Sequence, residues 1–214
     1  MKRLVGRLIV MVIVVGAGGA VAQDTGMVGK GIKAGLALYT FTGADKEISR
    51  VSPDLEPGLA AGAFLTFALG PRLHLQPEIL YVMKGAQYES NGYTFTFDLN
   101  YLEIPILLKY PLGADGGGVR PVLFAGPTFA IKLKAEGTET GPGGSETVDY
   151  GDQTNALDVG LAFGAGLGIP AGANLVTFDA RYTLGLTDWP DPADVDEELS
   201  MKNSGWLVMA GITF

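Results

Sequence analysis

The chain has 214 residues, with 15 Lys and Arg against 23 Asp and Glu and a formal net charge of −8 at pH 7. That balance argues against a nucleic-acid partner, whose phosphates call for clustered Lys and Arg. Hydrophobic residues at 47 % and a mean hydropathy of +0.26 exclude a disordered acidic chain. The absence of cysteine excludes a disulfide framework and a thiol nucleophile, and one histidine, His74, excludes a histidine-rich zinc site.

Residues 1–22 predict a cleaved secretory signal peptide. Lys2, Arg3 and Arg7 give a positive start, residues 8–15 are an unbroken apolar run, and Ala20 and Ala22 supply the small residues of an A-x-A cleavage site. The rival reading, an anchor helix, needs about 20 apolar residues, and glycines follow this shorter run. Residues 23–214 then form one domain. Loss of the three bases leaves it 12 Lys and Arg against 23 acids, or −11.

The remaining sequence alternates with period two, which predicts strands rather than helices. The first segment sets Ile32, Ala34, Leu36 and Leu38 against Lys33, Gly35, Ala37 and Tyr39. The second sets Leu59, Ala61, Ala63, Leu65 and Phe67 against Ala60, Gly62, Phe64 and Thr66. In the third, Leu75, Pro77, Ile79 and Tyr81 oppose His74, Gln76, Glu78 and Lys84. In the fourth, Leu102, Ile104, Ile106 and Leu108 oppose Glu103, Pro105, Leu107 and Lys109. Just before it, Phe95, Phe97 and Leu99 have the other parity, which predicts a bulge near Asn100 and Tyr101 or a strand that begins there. The fifth sets Leu123, Phe129, Ile131 and Leu133 against Arg120, Thr128, Lys132 and Lys134.

The sixth segment is the clearest, with Leu157 to Ile169 apolar at every odd position and only Asp158, Ala162 and glycines at the even ones. The seventh sets Val176, Phe178, Ala180 and Tyr182 against Thr177, Asp179, Arg181 and Thr183, and the eighth sets Trp206, Val208, Ala210, Ile212 and Phe214 against Leu207, Met209, Gly211 and Thr213. A soluble sandwich puts its bulk inside. Here the continuous apolar face stands opposite a face of small and charged residues, which fits the crowded interior of a narrow barrel. Eight such segments, each near the roughly 9–11 residues of a tilted spanning strand, predict an all-β fold, an eight-stranded antiparallel up-and-down transmembrane β-barrel.

The connections alternate in length. Residues 69–72, 113–118 and 170–174 are short, while 42–57, 85–94, 135–155 and 187–203 are long. The long segments hold 16 of the 23 acids and, among the bases, only Lys46, Arg50 and Lys202. Short turns on one side and long loops on the other predict periplasmic termini and acidic extracellular loops in a Gram-negative outer membrane. The aromatics at strand ends, Tyr39, Phe41, Tyr81, Tyr110, Tyr182, Trp189 and Trp206, are expected in interfacial girdles.

Three stretches carry a family resemblance: LQPEILY at 75–81 followed by Lys84 and Gly85, LNYLEIPILLKY at 99–110, and RPVLFAGP at 120–127. A weaker echo is DARY at 179–182 with LGL at 184–186. Together they resemble the PorT-type outer-membrane β-barrel family, a relative in architecture of the OmpA-like membrane domain. The resemblance covers nearly the whole mature chain. It implies an eight-stranded barrel without enzymatic chemistry and without a cofactor, and some members of that family take part in protein secretion and gliding. It also implies that the terminal aromatic, Phe214, is the insertion signal read by the barrel-insertion machinery.

The candidate site is the inward-facing polar set: Lys33, Gln76, Glu78, Lys84, Glu103, Lys109, Arg120, Asp158, Asp179 and Arg181. Both signs are present, so the expectation is a structural charge network filling the lumen, with Arg181 and Lys109 as hubs and Glu78 and Glu103 as acceptors. The pairing depends on strand register, which the sequence leaves open. A gated ion path through exchangeable pairs is the functional alternative, opposed by the narrow interior of eight strands. Glu78 and Glu103 read as a glycosidase pair lack a sugar cleft. His74, beside the turn at Gly70 and Pro71, has no neighbouring Ser for an esterase. Asp188, Asp191, Asp194, Asp196, Glu197 and Glu198 form a solvated acidic loop without the spacing of a calcium hand.

No catalytic, cofactor-binding or metal residue is expected. The expected role is structural or interactive: the barrel stabilises the envelope, or serves as an accessory to a larger secretion or adhesion assembly. The rivals are a small ion-conducting pore, a membrane-embedded hydrolase and a soluble lipocalin-like barrel. Expected partners are outer-membrane lipid and lipopolysaccharide, the barrel-insertion machinery, and secretion or envelope proteins.

Overall fold

The computed structural model describes residues 26–42, 54–90, 92–113, 118–188 and 201–214. The expected signal segment lies outside the described residues. In chain order the strands are β1 (Met27–Thr42), β2 (Asp54–Ala68), β3 (His74–Ser90), β4 (Tyr93–Pro111), β5 (Arg120–Gly141), β6 (Gly144–Asp149), β7 (Leu157–Ala171), β8 (Asn174–Gly185) and β9 (Lys202–Thr213). One 3-10 turn, Gly151–Gln153, follows β6. Among the described residues no helix is long and apolar enough to cross a membrane.

All the pairings are antiparallel between neighbours. β1 pairs with β2 and β9, the chain continues β2–β3–β4 and β9–β8–β7–β5, and β4 pairs with β5 to close the ring. The ring therefore has eight strands and no open edge, which satisfies the backbone in an apolar medium. β6 is outside it. It pairs along Glu136–Gly141 of β5, beyond the β5–β7 pairing that ends at Ile131.

The burial of the strands follows the sequence parity. Odd positions of β1 and β4 and even positions of β3 and β7 turn inward, while Ile32, Leu36, Ile79, Leu161, Phe163, Phe178 and Val208 stand exposed on the outside. Glycines permit the crowding inside. Gly164 pairs with Arg181 across β7 and β8, and a Cβ on it would lie 2.7 Å from the Arg181 Cα. The largest fully buried side chain, Arg181, is thus seated opposite the smallest residue.

The parity break expected at Asn100 and Tyr101 is resolved without a break in β4. Phe97, Leu99, Tyr101 and Glu103 all lie on the inward parity of one continuous strand. The slip falls on the partner: Tyr101 pairs with Lys132 and Asn100 with Lys134, so Leu133 is the additional residue of a bulge in β5. What changes at this level is polarity. Below it the apolar residues face out. Above it Thr94, Thr96 and Asp98 face out and Phe95, Phe97 and Leu99 face in, the pattern of a sheet surrounded by water.

Two expectations are corrected at this end of the barrel. Tyr39 and Phe41 were expected in an outer girdle, yet both are buried inside the barrel, with Phe41 in a cluster with Ala86, Leu99, Tyr101, Ala130 and Ala135. Tyr81, Tyr110 and Trp206 do stand exposed on the outside, and Trp189 lies outside the described residues. The segments expected as loops at 85–94 and 135–155 are largely strand. β3 and β4 continue to a tip at Ser90 and Tyr93, and β5 and β6 form a hairpin closing at Gly141 and Gly144. Gly92 and Gly144 adopt positive φ at these tips, and Gly172, at φ 65°, does so in the short β7–β8 turn.

Candidate functional site: a lumen filled by ion pairs

Two groups of charges occupy the lumen, one above the other. The lower group lies nearer the chain ends. Lys33 of β1 donates to Glu78 Oε1 at 2.8 Å and to Asp179 Oδ2 at 3.0 Å, and Arg181 Nη1 of β8 donates to Glu78 Oε2 at 2.9 Å. Gln76 Nε2 donates to Glu78 Oε1 at 2.6 Å, and Lys109 Nζ donates to Gln76 Oε1 at 3.0 Å. The upper group centres on Lys84 of β3, which lies 2.9 Å from Glu103 of β4 and 3.3 Å from Asp158 of β7. Asn203 Nδ2 of β9 donates to Asp158 Oδ2 at 3.0 Å, and Thr187 Oγ1 donates to Asp158 Oδ1 at 3.1 Å.

Each lysine of these groups also rests on a ring. Lys33 lies over Phe64 at 5.1 Å, Lys84 over Tyr39 and Tyr101 at 4.9 Å each, and Lys109 over Phe124 at 5.8 Å. The aromatic faces add attraction in a place where water is displaced. Among the described residues the signs of the two groups balance: Lys33, Lys84, Lys109 and Arg181 against Glu78, Glu103, Asp158 and Asp179. Charges removed from water need such partners, since each unpaired ion costs several kcal/mol.

The structure thus brings together eight of the nine charged residues singled out in the sequence. Arg120 is the correction. It is the exposed first residue of β5, at the mouth of the barrel, where water solvates its guanidinium more cheaply than burial would. The hub expected at Lys109 is held by Lys33 and Lys84, each of which bridges two carboxylates, while Lys109 reaches an amide oxygen. Glu78 and Glu103 do not face each other as a catalytic pair, because each is taken up by cations of a different group. Sequence reasoning missed Asn203 and the ring roles of Tyr39 and Tyr101. Extending the inward parity of Leu207 and Met209 by two steps, past Gly205, would have found Asn203.

Above the charges lies a cluster of rings. Phe41 and Phe97 have centroids 6.0 Å apart in an edge contact, Tyr88 and Phe97 meet at 6.1 Å, and Phe97 and Tyr150 at 6.0 Å. Lys132 Nζ donates to the carbonyl of Gly151 at 2.6 Å, which ties the 3-10 turn to the rim. Among the described residues no group of three or more His, Asp or Glu is arranged to hold a metal ion, and Asp191 to Glu198 of the acidic loop lie outside them.

A closed ring of antiparallel strands, apolar outside and charged within, is a barrel that spans a membrane. Residues 21–189 match the family model described as outer membrane protein beta-barrel domain, and the chain belongs to that family of outer-membrane proteins. Among solved structures, it is 12 % identical to OprG of Pseudomonas aeruginosa, with a TM-score of 0.47 over 89 % of this chain and 97 % of that one. It is 15 % identical to the neisserial surface protein NspA, with a TM-score of 0.45 over 88 % and 97 %. It is 13 % identical to the N-terminal barrel domain of Pseudomonas aeruginosa OprF, with a TM-score of 0.43 over 87 % and 98 %. No curated protein matches the chain.

Proposed function

We propose that this outer-membrane barrel is a plugged, non-enzymatic envelope protein whose work is done by its long-loop end. The observation that carries this reading is the filled lumen, in which two ion-paired groups and an aromatic cap succeed one another along the axis. Such an interior holds the strands together and opposes the pore reading. Among the described residues Glu78, Glu103, Asp158 and Asp179 each lie within ion-pair distance of a lysine or arginine, which weighs against the hydrolase reading.

In this reading the chain ends and short turns face the periplasm, and the acidic loops and the β5–β6 hairpin face outward. Lipid and lipopolysaccharide surround the apolar band, and the terminal Phe214, exposed on the barrel, is the signal for the insertion machinery. A role as accessory to a secretion or adhesion assembly, and the finer PorT-type kinship, rest on the LQPE and YLEIP strings. The test is purification in mild detergent from native outer membranes, followed by planar-bilayer recording. A stoichiometric partner set with no unitary conductance is expected. Steady open channels from the pure protein would sink the reading.

A further inference from the structure

We propose that the inner face of the β4–β5–β6 flap binds a small organic cation with an apolar body, an ammonium or guanidinium group on an aryl or alkyl stem. The register builds the site in two rows. Phe97 pairs with Gly137 and Gly137 with Val148. Two residues further out, Phe95 pairs with Glu139 and Glu139 with Glu146. Side chains two apart share a face, so rings and carboxylates line one cavity of about 210 Å³ with Tyr150 at its inner wall.

Three features select the ligand. Glu139 and Glu146 oppose each other directly, an arrangement that like charges make unfavourable. No ion pair to either is formed among the described residues, whereas nearby Glu136 takes Lys134 at 2.8 Å. A cation between the two carboxylates removes that repulsion. Second, Phe97 and Tyr150 line the cavity, and aromatic rings attract cations and pack against an apolar stem. Third, the wall is built around a glycine: a Cβ on Gly137 would lie 2.6 Å from the Tyr150 ring. The cavity is smaller than the roughly 300–1,000 Å³ of drug-sized pockets, so it takes a group about the size of one side chain. Anions are repelled, and a neutral analogue gains only the apolar contact.

This deepens the outward-facing interaction reading by naming the chemistry it recognises. The source is a free amine or a basic side chain beside an aromatic one in another protein, and the test separates them. The full folded chain in a non-ionic maltoside detergent, which brings no cation of its own, is titrated calorimetrically with phenethylammonium, with neutral 2-phenylethanol, and with the peptide acetyl-Lys-Phe-amide. Saturable binding of a cationic probe is expected, weakened roughly fivefold to tenfold in the Glu139→Gln, Glu146→Gln double variant and weakened by added salt. Tyr150→Ala is expected to weaken both cations through the lost ring. The tighter of the two cationic probes identifies the source. Equal affinity for 2-phenylethanol, or binding unchanged in the double variant, or no saturable binding of either cation overturns the proposal. Orientation is read independently by protease cleavage of the loops on intact cells, so failure of the envelope reading and failure of this site are told apart.

Discussion

Arg181 and Glu78 meet at 2.9 Å with neither side chain reaching solvent, and they come from opposite walls of the barrel. β3 and β8 are separated by β2, β1 and β9 on one side of the ring, so the pair is a strut across the diameter. Lys33, on β1 midway between them, ties Glu78 to Asp179 and completes a triangle. No adjacent-strand hydrogen bond can do this, because the ladder only joins neighbours.

Removing Arg181 leaves Glu78 with Lys33 as its remaining cation and the lower group one positive charge short, while removing Glu78 takes from Arg181 the carboxylate it pairs with. Arg181→Met is expected to be destabilising by up to about 3–5 kcal/mol, the range for a buried charge left uncompensated, with Lys33 holding the loss below that ceiling. The double change Arg181→Met with Glu78→Gln should cost clearly less than the two single losses added together. Urea unfolding in lipid vesicles, followed by the folded and unfolded bands on unboiled gels, supplies the four values of the cycle. Additivity within about 0.5 kcal/mol would mean the two residues act independently.

Gly164 tests the packing side of the same feature. A Cβ there would lie 2.3 Å from the Ala180 carbonyl oxygen and 2.8 Å from the Arg181 Cβ. Gly164→Ala is therefore expected to cost about 1–3 kcal/mol, the usual range for overpacking, and Gly164→Leu to prevent the folded band from forming. Gly172→Ala is a comparison of a different kind, with open space around the Cβ but a φ of 65°. Its cost should come from the backbone alone and stay near 1 kcal/mol. If Gly164→Ala proves as mild as a surface change, the interior has slack that the contacts do not show.

The inversion of polarity at Asn100 and Tyr101 predicts where the membrane ends. Leu161→Arg, on the outer face of β7 in the apolar band, should cost about 2–4 kcal/mol in lipid. Thr96→Arg, on the outer face of β4 above the inversion, should change stability by less than about 0.5 kcal/mol. Vesicle unfolding of the two variants gives the comparison. Equal costs would move the boundary to the strand tips and turn the β4–β5–β6 flap into a buried element.

Much of this was legible in the sequence because a barrel in lipid writes its pattern plainly. The alternation from Leu157 to Ile169 gave strand, face and small interior at once, and the inward parity gathered Lys33, Glu78, Lys84, Glu103, Asp158, Asp179 and Arg181. Two things were out of reach. Pairing depends on register and on distance across the lumen, so nothing in the order of residues says that Lys33 meets Asp179, 146 positions away. The second is the change of solvent along one strand. Reading apolar residues as outward is right at Ile104 and wrong at Phe97, because the strand leaves lipid between them. Arg120 failed for a related reason: parity says which way a side chain points, and only height says whether water reaches it.

The order of the fillings along the axis predicts how the lumen resists opening. The aromatic cap of Phe41, Tyr88 and Phe97 lies outside the two charged groups, which fill the barrel from wall to wall beneath it. Trimming it with Tyr88→Ala and Phe97→Ala removes two large half-buried rings, and each should cost less than the roughly 3–5 kcal/mol of truncating a fully buried Phe. It should leave bilayer conductance at baseline. Adding Arg181→Ala and Lys84→Ala to the trimmed barrel takes away the largest side chain at the lower level and the bridging lysine at the upper one. If that combination still folds, it should conduct. Channels opened by trimming the cap alone would mean that the charged groups leave a continuous wet path, and that the rings are the seal.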